Sequence, residues 1–145
     1  MSTYILNRKK FAQKGIVGWS GNNFCCELSE DIGGIVVVTA KTLSKLKEDF
    51  EESLRWHIEG CLADGDALPA YITEGNYDID YELDTAAMLR EAERFTTLAA
   101  ISRATGINQK LLSHYANMLK IPRPAQRQRI VDGLHAIGRQ FLAVQ

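Results

Sequence analysis

Residues 97–118, TLAAISRATGINQKLLSHYANM, hold two short apolar-periodic segments broken by Gly106, and this break constrains the fold more than composition does. A tight turn between helices needs a residue that tolerates positive φ, and Gly106 supplies it. Ser102, four residues earlier, is small enough for a second helix to cross over it. Ile101, Ile107, Leu112 and Tyr115 fall where two crossing helices bury a shared face. Asn108 offers a side-chain oxygen to the first free N–H groups of the second helix, as an N-cap does. Turn glycine, small residue, cap and apolar spacing together predict a helix-turn-helix.

In such a unit the early residues of the second helix reach base edges, while flanking groups grip phosphate. Gln109, Lys110, Ser113 and His114 are expected to point outward there. A Gln amide suits adenine and a Lys ammonium suits guanine. Asn117, one turn on, is placed for a base or a phosphate. Arg123, Arg127 and Arg129 follow the helix as candidate phosphate clamps, each steepening the salt dependence of binding. The competing reading is a helical hairpin that binds protein, with its basic residues merely solvated. Charge favours double-stranded DNA. The net charge of −1 hides a split. Residues 1–82 carry 8 Lys/Arg and 14 Asp/Glu, whereas residues 83–145 carry 9 and 4. The acidic half would repel phosphate and suits a basic protein partner.

The first half alternates strand signals with one long helix. Gly15–Ser20 and Phe24–Leu28 flank Gly21-Asn22-Asn23, a hairpin signal, and Ile35–Thr39 reads as a well-buried strand. Tyr4–Leu6 offers a weaker strand. Leu43, Leu46, Phe50, Leu54, Ile58 and Leu62 then recur at three and four residues, an amphipathic helix with Thr42 as N-cap. A loop at 64–76 leads to Tyr77–Leu83, where apolar and acidic residues alternate as in a strand with one wet face. The second half is helical: a lead-in over Thr85–Arg94, the helix-turn-helix, and a last helix striped by Ile130, Leu134, Ile137 and Phe141. Gly133 and Gly138 weaken that last helix intrinsically. The expected class is α+β, a small βββαβ domain over 1–83 followed by an all-α domain over 84–145.

Other classes find less support. No apolar run approaches a membrane span, and the N-terminus lacks a secretion signal, so a cytoplasmic location is expected. Cys25, Cys26 and Cys61 have no CxxC spacing and read as small apolar residues. His57, His114 and His135 are too scattered to complete a zinc site, and no cofactor is expected. His114 as a nuclease base lacks a carboxylate neighbour in sequence. Asp78 and Asp80 share a strand face and could hold a divalent metal, although alternating acids on a strand usually just face solvent. Trp19 and Trp56 read as core or interface residues. No phosphate-binding glycine loop or nucleophile set stands out, so the reading is a non-enzyme.

A βββαβ unit followed by this motif resembles the HicB family of bacterial type II antitoxins. In the first half the resemblance rests on the short strands and AKTLSKLKEDFEESLRWHIE. In the second it rests on TLAAISRATGINQKLLSHYANMLKIPRPAQRQRI, similar to an Xre-type helix-turn-helix. The family's Pro-Asp-x-Pro-Gly segment corresponds here to Glu30-Asp31-Ile32-Gly33-Gly34, without the prolines. Its Gly-Asp-Thr before the helix is Ala40-Lys41-Thr42. The resemblance implies a sheet domain of ribonuclease-H-like or degraded type that masks a small basic HicA-type mRNA-cleaving toxin. It also implies a helix-turn-helix that represses the operon, in a homodimer or larger homo-oligomer. The alternative is a stand-alone transcriptional regulator whose first domain senses a ligand or mediates assembly.

Overall fold

Four strands and six helices make up the described part of the chain, residues 11–28, 32 and 34–145 of a computed structural model. The order is β1 (Phe11–Trp19), β2 (Phe24–Leu28), β3 (Val37–Ala40), α1 (Leu43–Ala63), α2 (Ala70–Thr73), β4 (Tyr77–Leu83), α3 (Thr85–Ala92), α4 (Leu98–Thr105), α5 (Gln109–Ala116) and α6 (Pro124–Leu142). The strands form one sheet, β3-β2-β1-β4, in which only the β1–β4 pair is parallel. The mixed α+β class expected from the sequence is the class observed. The strand expected at Tyr4–Leu6 lies outside the described residues. Among those described, no helix is long and apolar enough to cross a membrane.

Alternation explains the sheet. Gln13, Gly15 and Val17 of β1 point inward, as do Phe24 and Cys26 of β2. The β1–β2 turn closes through a bond from Ser20 N to Asn23 O of 2.9 Å, with Gly21 at φ +94°. Across the parallel pair Gly15 faces Tyr81. A Cβ at Gly15 would lie 3.2 Å from the Tyr81 ring, so glycine leaves room for the phenol. That ring meets Phe50 of α1 edge-on at 6.2 Å, and its hydroxyl donates to Glu51 Oε1 at 3.0 Å. Thr42 caps α1 by accepting from Lys45 N at 3.2 Å. Leu46, Phe50, Leu54 and Ile58 then press one stripe onto the sheet. Each such buried side chain contributes about 1.5–3 kcal/mol before entropy is counted.

Four details depart from expectation. The strand read at Ile35–Thr39 is shorter and lies at the sheet edge, with Ile35 86% and Val37 54% exposed. A β-branched run signals a strand but not its place in the sheet. At the end of α1 the stripe steps to Cys61, leaving Leu62 half exposed. Trp56 is 67% exposed rather than in the core, whereas Trp19 packs edge-on against Phe24 at 5.1 Å. The loop expected at 64–76 also contains the one-turn α2, whose Ile72 plugs the sheet core.

A second core gathers Leu89, Ile101, Ile107, Leu112, Tyr115, Ala116 and Ile130. Helix α3 serves both cores, since Ala87 packs with the sheet core and Leu89 with the helical one. Its cap joins them too. Asp84 Oδ1 accepts from Ala87 N at 2.8 Å, and Asp84 N donates to Val17 O at 2.8 Å. Gly133 has a packing role: a Cβ there would collide with the Thr105 methyl, so its absence lets α6 cross the end of α4 closely.

Candidate nucleic-acid interface

Local hydrogen bonding sets the angle between α4 and α5. Thr97 caps α4 by accepting from Ala100 N at 3.1 Å. Gly106 ends it at φ +72°, donating to Ser102 O at 2.8 Å, the left-handed stop that favours glycine. Ser102 Oγ donates to Ile107 O at 2.6 Å, so the small residue fastens the turn as well as making space. Thr105 Oγ1 accepts from Ile107 N at 3.1 Å while donating to Ile101 O at 2.8 Å. Asn108 Oδ1 then accepts from Lys110 N at 2.8 Å and opens α5. Ile101, Ile107 and Leu112 close the angle from inside.

This leaves one face of α5 to solvent. Gln109 and Lys110 are exposed at its first turn, and Ser113 and His114 are half-buried behind them. The Lys110 and Arg123 side chains meet no carboxylate among the described residues. Helix α5 ends in a Schellman arrangement: Leu119 N donates to His114 O at 2.8 Å and Met118 N to Tyr115 O at 3.1 Å. Met118 holds the left-handed position at φ 60°, where a side chain is strained. The exit turn carries Lys120 and Arg123 along a shallow groove with Leu111, Pro122 and Gln126.

Three expected contact residues have other work. Arg127 donates to Leu83 O at 2.6 Å and to Thr85 Oγ1 at 3.2 Å, joining α6 to the end of β4. Arg129 donates to Thr105 O at 3.0 Å, neutralising the carbonyl end of α4, and to Gln126 at 3.0 Å. Asn117 accepts from Arg90 at 2.6 Å and donates to Ser113 O at 2.9 Å. All three fasten the fold, Arg127 in a partly buried site and Asn117 and Arg129 at exposed positions. Arg90, not singled out from sequence, binds both Asn117 and Ala116 O and lies 5.4 Å over the Trp19 ring. Arg103 and Lys120 were missed as exposed cations; a basic residue in the last turn of α4 was the available signal for Arg103.

The acidic half presents a groove of about 470 Å³ between α1 and β4. Glu51, Glu59 and Asp78 line it around Leu62 and Ile79, with Arg55 among them. Asp78 and Asp80 face outward from β4 as the alternation required. Among the described residues no three His, Cys, Asp or Glu side chains gather as a metal site. Burial pushes the Cys26 thiol up to about 12. Burial and the bond to Glu51 likewise push the Tyr81 phenol upward.

Comparison with protein-family models, with curated proteins and with solved structures gives no match, so the site stands on its own geometry.

Proposed function

We propose that α4 and α5 act as a helix-turn-helix that sets α5 in the DNA major groove. Gln109 and Lys110 then read base edges, with Ser113 and His114 beside them, and Lys120 and Arg123 grip the backbone. The observation that carries this reading is the capped, three-residue turn at 106–108, which leaves the first turn of α5 polar, exposed and flanked by unpaired cations. The test is protection of operator DNA upstream of the protein's own gene, followed by Gln109→Ala and Lys110→Ala. Each lost base contact is expected to reduce discrimination by about 1–3 kcal/mol. Equal loss on every sequence would place the reading surface elsewhere.

The same proposal gives the acidic half a protein partner. The resemblance to HicB antitoxins, the charge split and the acidic groove around Leu62 support a small basic toxin of the HicA type, masked by direct binding. Co-expression with a short Lys/Arg-rich neighbour gene is expected to give a stoichiometric complex without mRNA cleavage. Undiminished cleavage at excess antitoxin would remove this half of the reading. A stand-alone regulator is the second reading. It is favoured by a crevice of about 370 Å³ between β4 and the end of α5, which places Asp84, Met118 and Lys120 around one space. A small molecule that shifts DNA affinity without any protein partner would select it.

A further inference from the structure

Where the end of β4 meets the exit of α5, the crevice of about 370 Å³ falls within the roughly 300–1,000 Å³ of a small-molecule site. Ile16 and Leu83 line it from the sheet, and Met118, Ile121 and Pro122 from the exit turn. Most of its polar groups are already engaged. Glu82 is held by Lys14 at 3.0 Å. Asp84 caps α3 through Oδ1, and its Oδ2 is turned toward β1, where a Cβ on Gly18 would lie 3.1 Å away. Arg127 is bound to Leu83 O and Thr85 Oγ1. Two groups remain. Tyr115 is only 7% exposed, yet its hydroxyl has no hydrogen-bond partner among the described residues, unlike most buried phenols. The Lys120 side chain meets no carboxylate among the described residues. One O–H donor and one ammonium thus border the same apolar-walled space.

We propose that this crevice binds a small carboxylate with an apolar body, its two oxygens taken by the Tyr115 hydroxyl and the Lys120 ammonium. The body is covered by Ile16, Met118 and Ile121, the last of which is 91% exposed in the free chain, and the charge-assisted bonds orient it. Glu82 and Asp84 balance Lys14 and Arg127, which leaves Lys120 as the uncompensated charge an anion meets. The ligand also acts on α5. Leu119 N and Met118 N close that helix on His114 O and Tyr115 O, with Met118 in the strained left-handed position. An anion on Lys120 withdraws a cation from DNA, so bound carboxylate lowers operator affinity, and DNA weakens the ligand by the same factor. The inference deepens the stand-alone-regulator reading by naming its ligand class and site, and it rests on the DNA reading for the operator effect alone.

Titration of the full chain with phenylacetate and with hexanoate, followed by amide NMR, tests the proposal. Shifts are expected at Ile16, Met118 and Lys120, with a dissociation constant of about 1 mM or below. Phenylacetamide, the same body without the charge, should bind about tenfold more weakly than phenylacetate. Tyr115→Phe should weaken phenylacetate about tenfold and leave the unfolding midpoint unchanged, because the hydroxyl has no partner to lose. Ile16→Trp, which fills the crevice from a half-buried position, should abolish binding without changing the circular dichroism. Saturating phenylacetate should lower operator affinity about five- to tenfold. No shifts with either carboxylate, equal binding of the amide, or indifference to Tyr115→Phe would overturn the proposal. Operator affinity unmoved by saturating ligand would overturn its regulatory half. A chain that protects operator DNA but shows none of these shifts fails this inference alone. One that binds phenylacetate as stated but protects no DNA fails only the DNA reading.

Discussion

The sheet core and the helical core of this chain solve the same problem differently. The sheet core is organised by one long helix, α1, laid across paired strands, and its ion pairs, such as Lys45–Asp49 and Lys14–Glu82, sit outside at the surface. The helical core relies on α3, α4 and α5, each of only eight residues. Helices that short are marginal alone and leave most of their end groups without helical partners. Two arginines answer this need by donating to helix-end carbonyls, Arg90 at the end of α5 and Arg129 at the end of α4, while Arg127 donates to the last carbonyl of β4. A basic half is therefore not wholly a basic surface. Part of its charge also holds the fold together.

Substitutions can break that comparison, beginning with the largest expected effect. Phe50→Ala empties the centre of the sheet core and should cost about 3–5 kcal/mol in denaturant unfolding. Because α3 packs with both cores, the helical half should melt in the same transition. Two separate transitions would show that the cores are energetically independent. Next comes a pair of glycines in one helix. Gly133→Ala should destabilise by about 1–3 kcal/mol, because the new methyl overlaps Thr105. Gly138→Ala, with open space around it, should stabilise by about 0.5–1 kcal/mol through helix propensity. Equal signs would mean that α6 does not cross α4 as closely as described.

The arginines provide the sharpest contrast. Arg127→Ala should lower stability by about 1–3 kcal/mol, since it strands the Leu83 carbonyl in a partly buried site. Arg123→Ala should stay within about 0.5 kcal/mol in stability. If Arg123 grips phosphate, its loss should reduce the salt slope of DNA binding by about 0.9. Reversal of these two results would restore Arg127 as a phosphate clamp. A further effect concerns pH. Cys26 has its thiol raised from 9.0 to about 12 in the folded chain, so the folded state favours the protonated form. That contribution is intact below the ordinary thiol value and is lost as pH climbs from 9.0 toward 12. The midpoint of unfolding should fall over this window, and Cys26→Val should flatten the fall. The helical core has no cysteine and should contribute no such slope.

Local, repeating or covalently dictated features were readable from the residues alone. Thr42, Gly106 and Asn108 announce the starts and stops of helices because capping and positive φ are properties of a few neighbouring residues. The stripe from Leu46 to Ile58 and the alternation from Tyr77 to Leu83 declare which face is wet, because each period is fixed by backbone geometry. Other features depend on residues distant in sequence. Whether Arg127 meets solvent or Leu83, 44 residues away, depends on how α6 crosses the end of β4. The edge position of β3, the dual service of α3 and the contact between Gly133 and Thr105 arise in the same way. Pattern along the chain assigns each residue a local role, whereas three-dimensional packing decides which cations, glycines and aromatics are consumed by the fold and which remain for a partner.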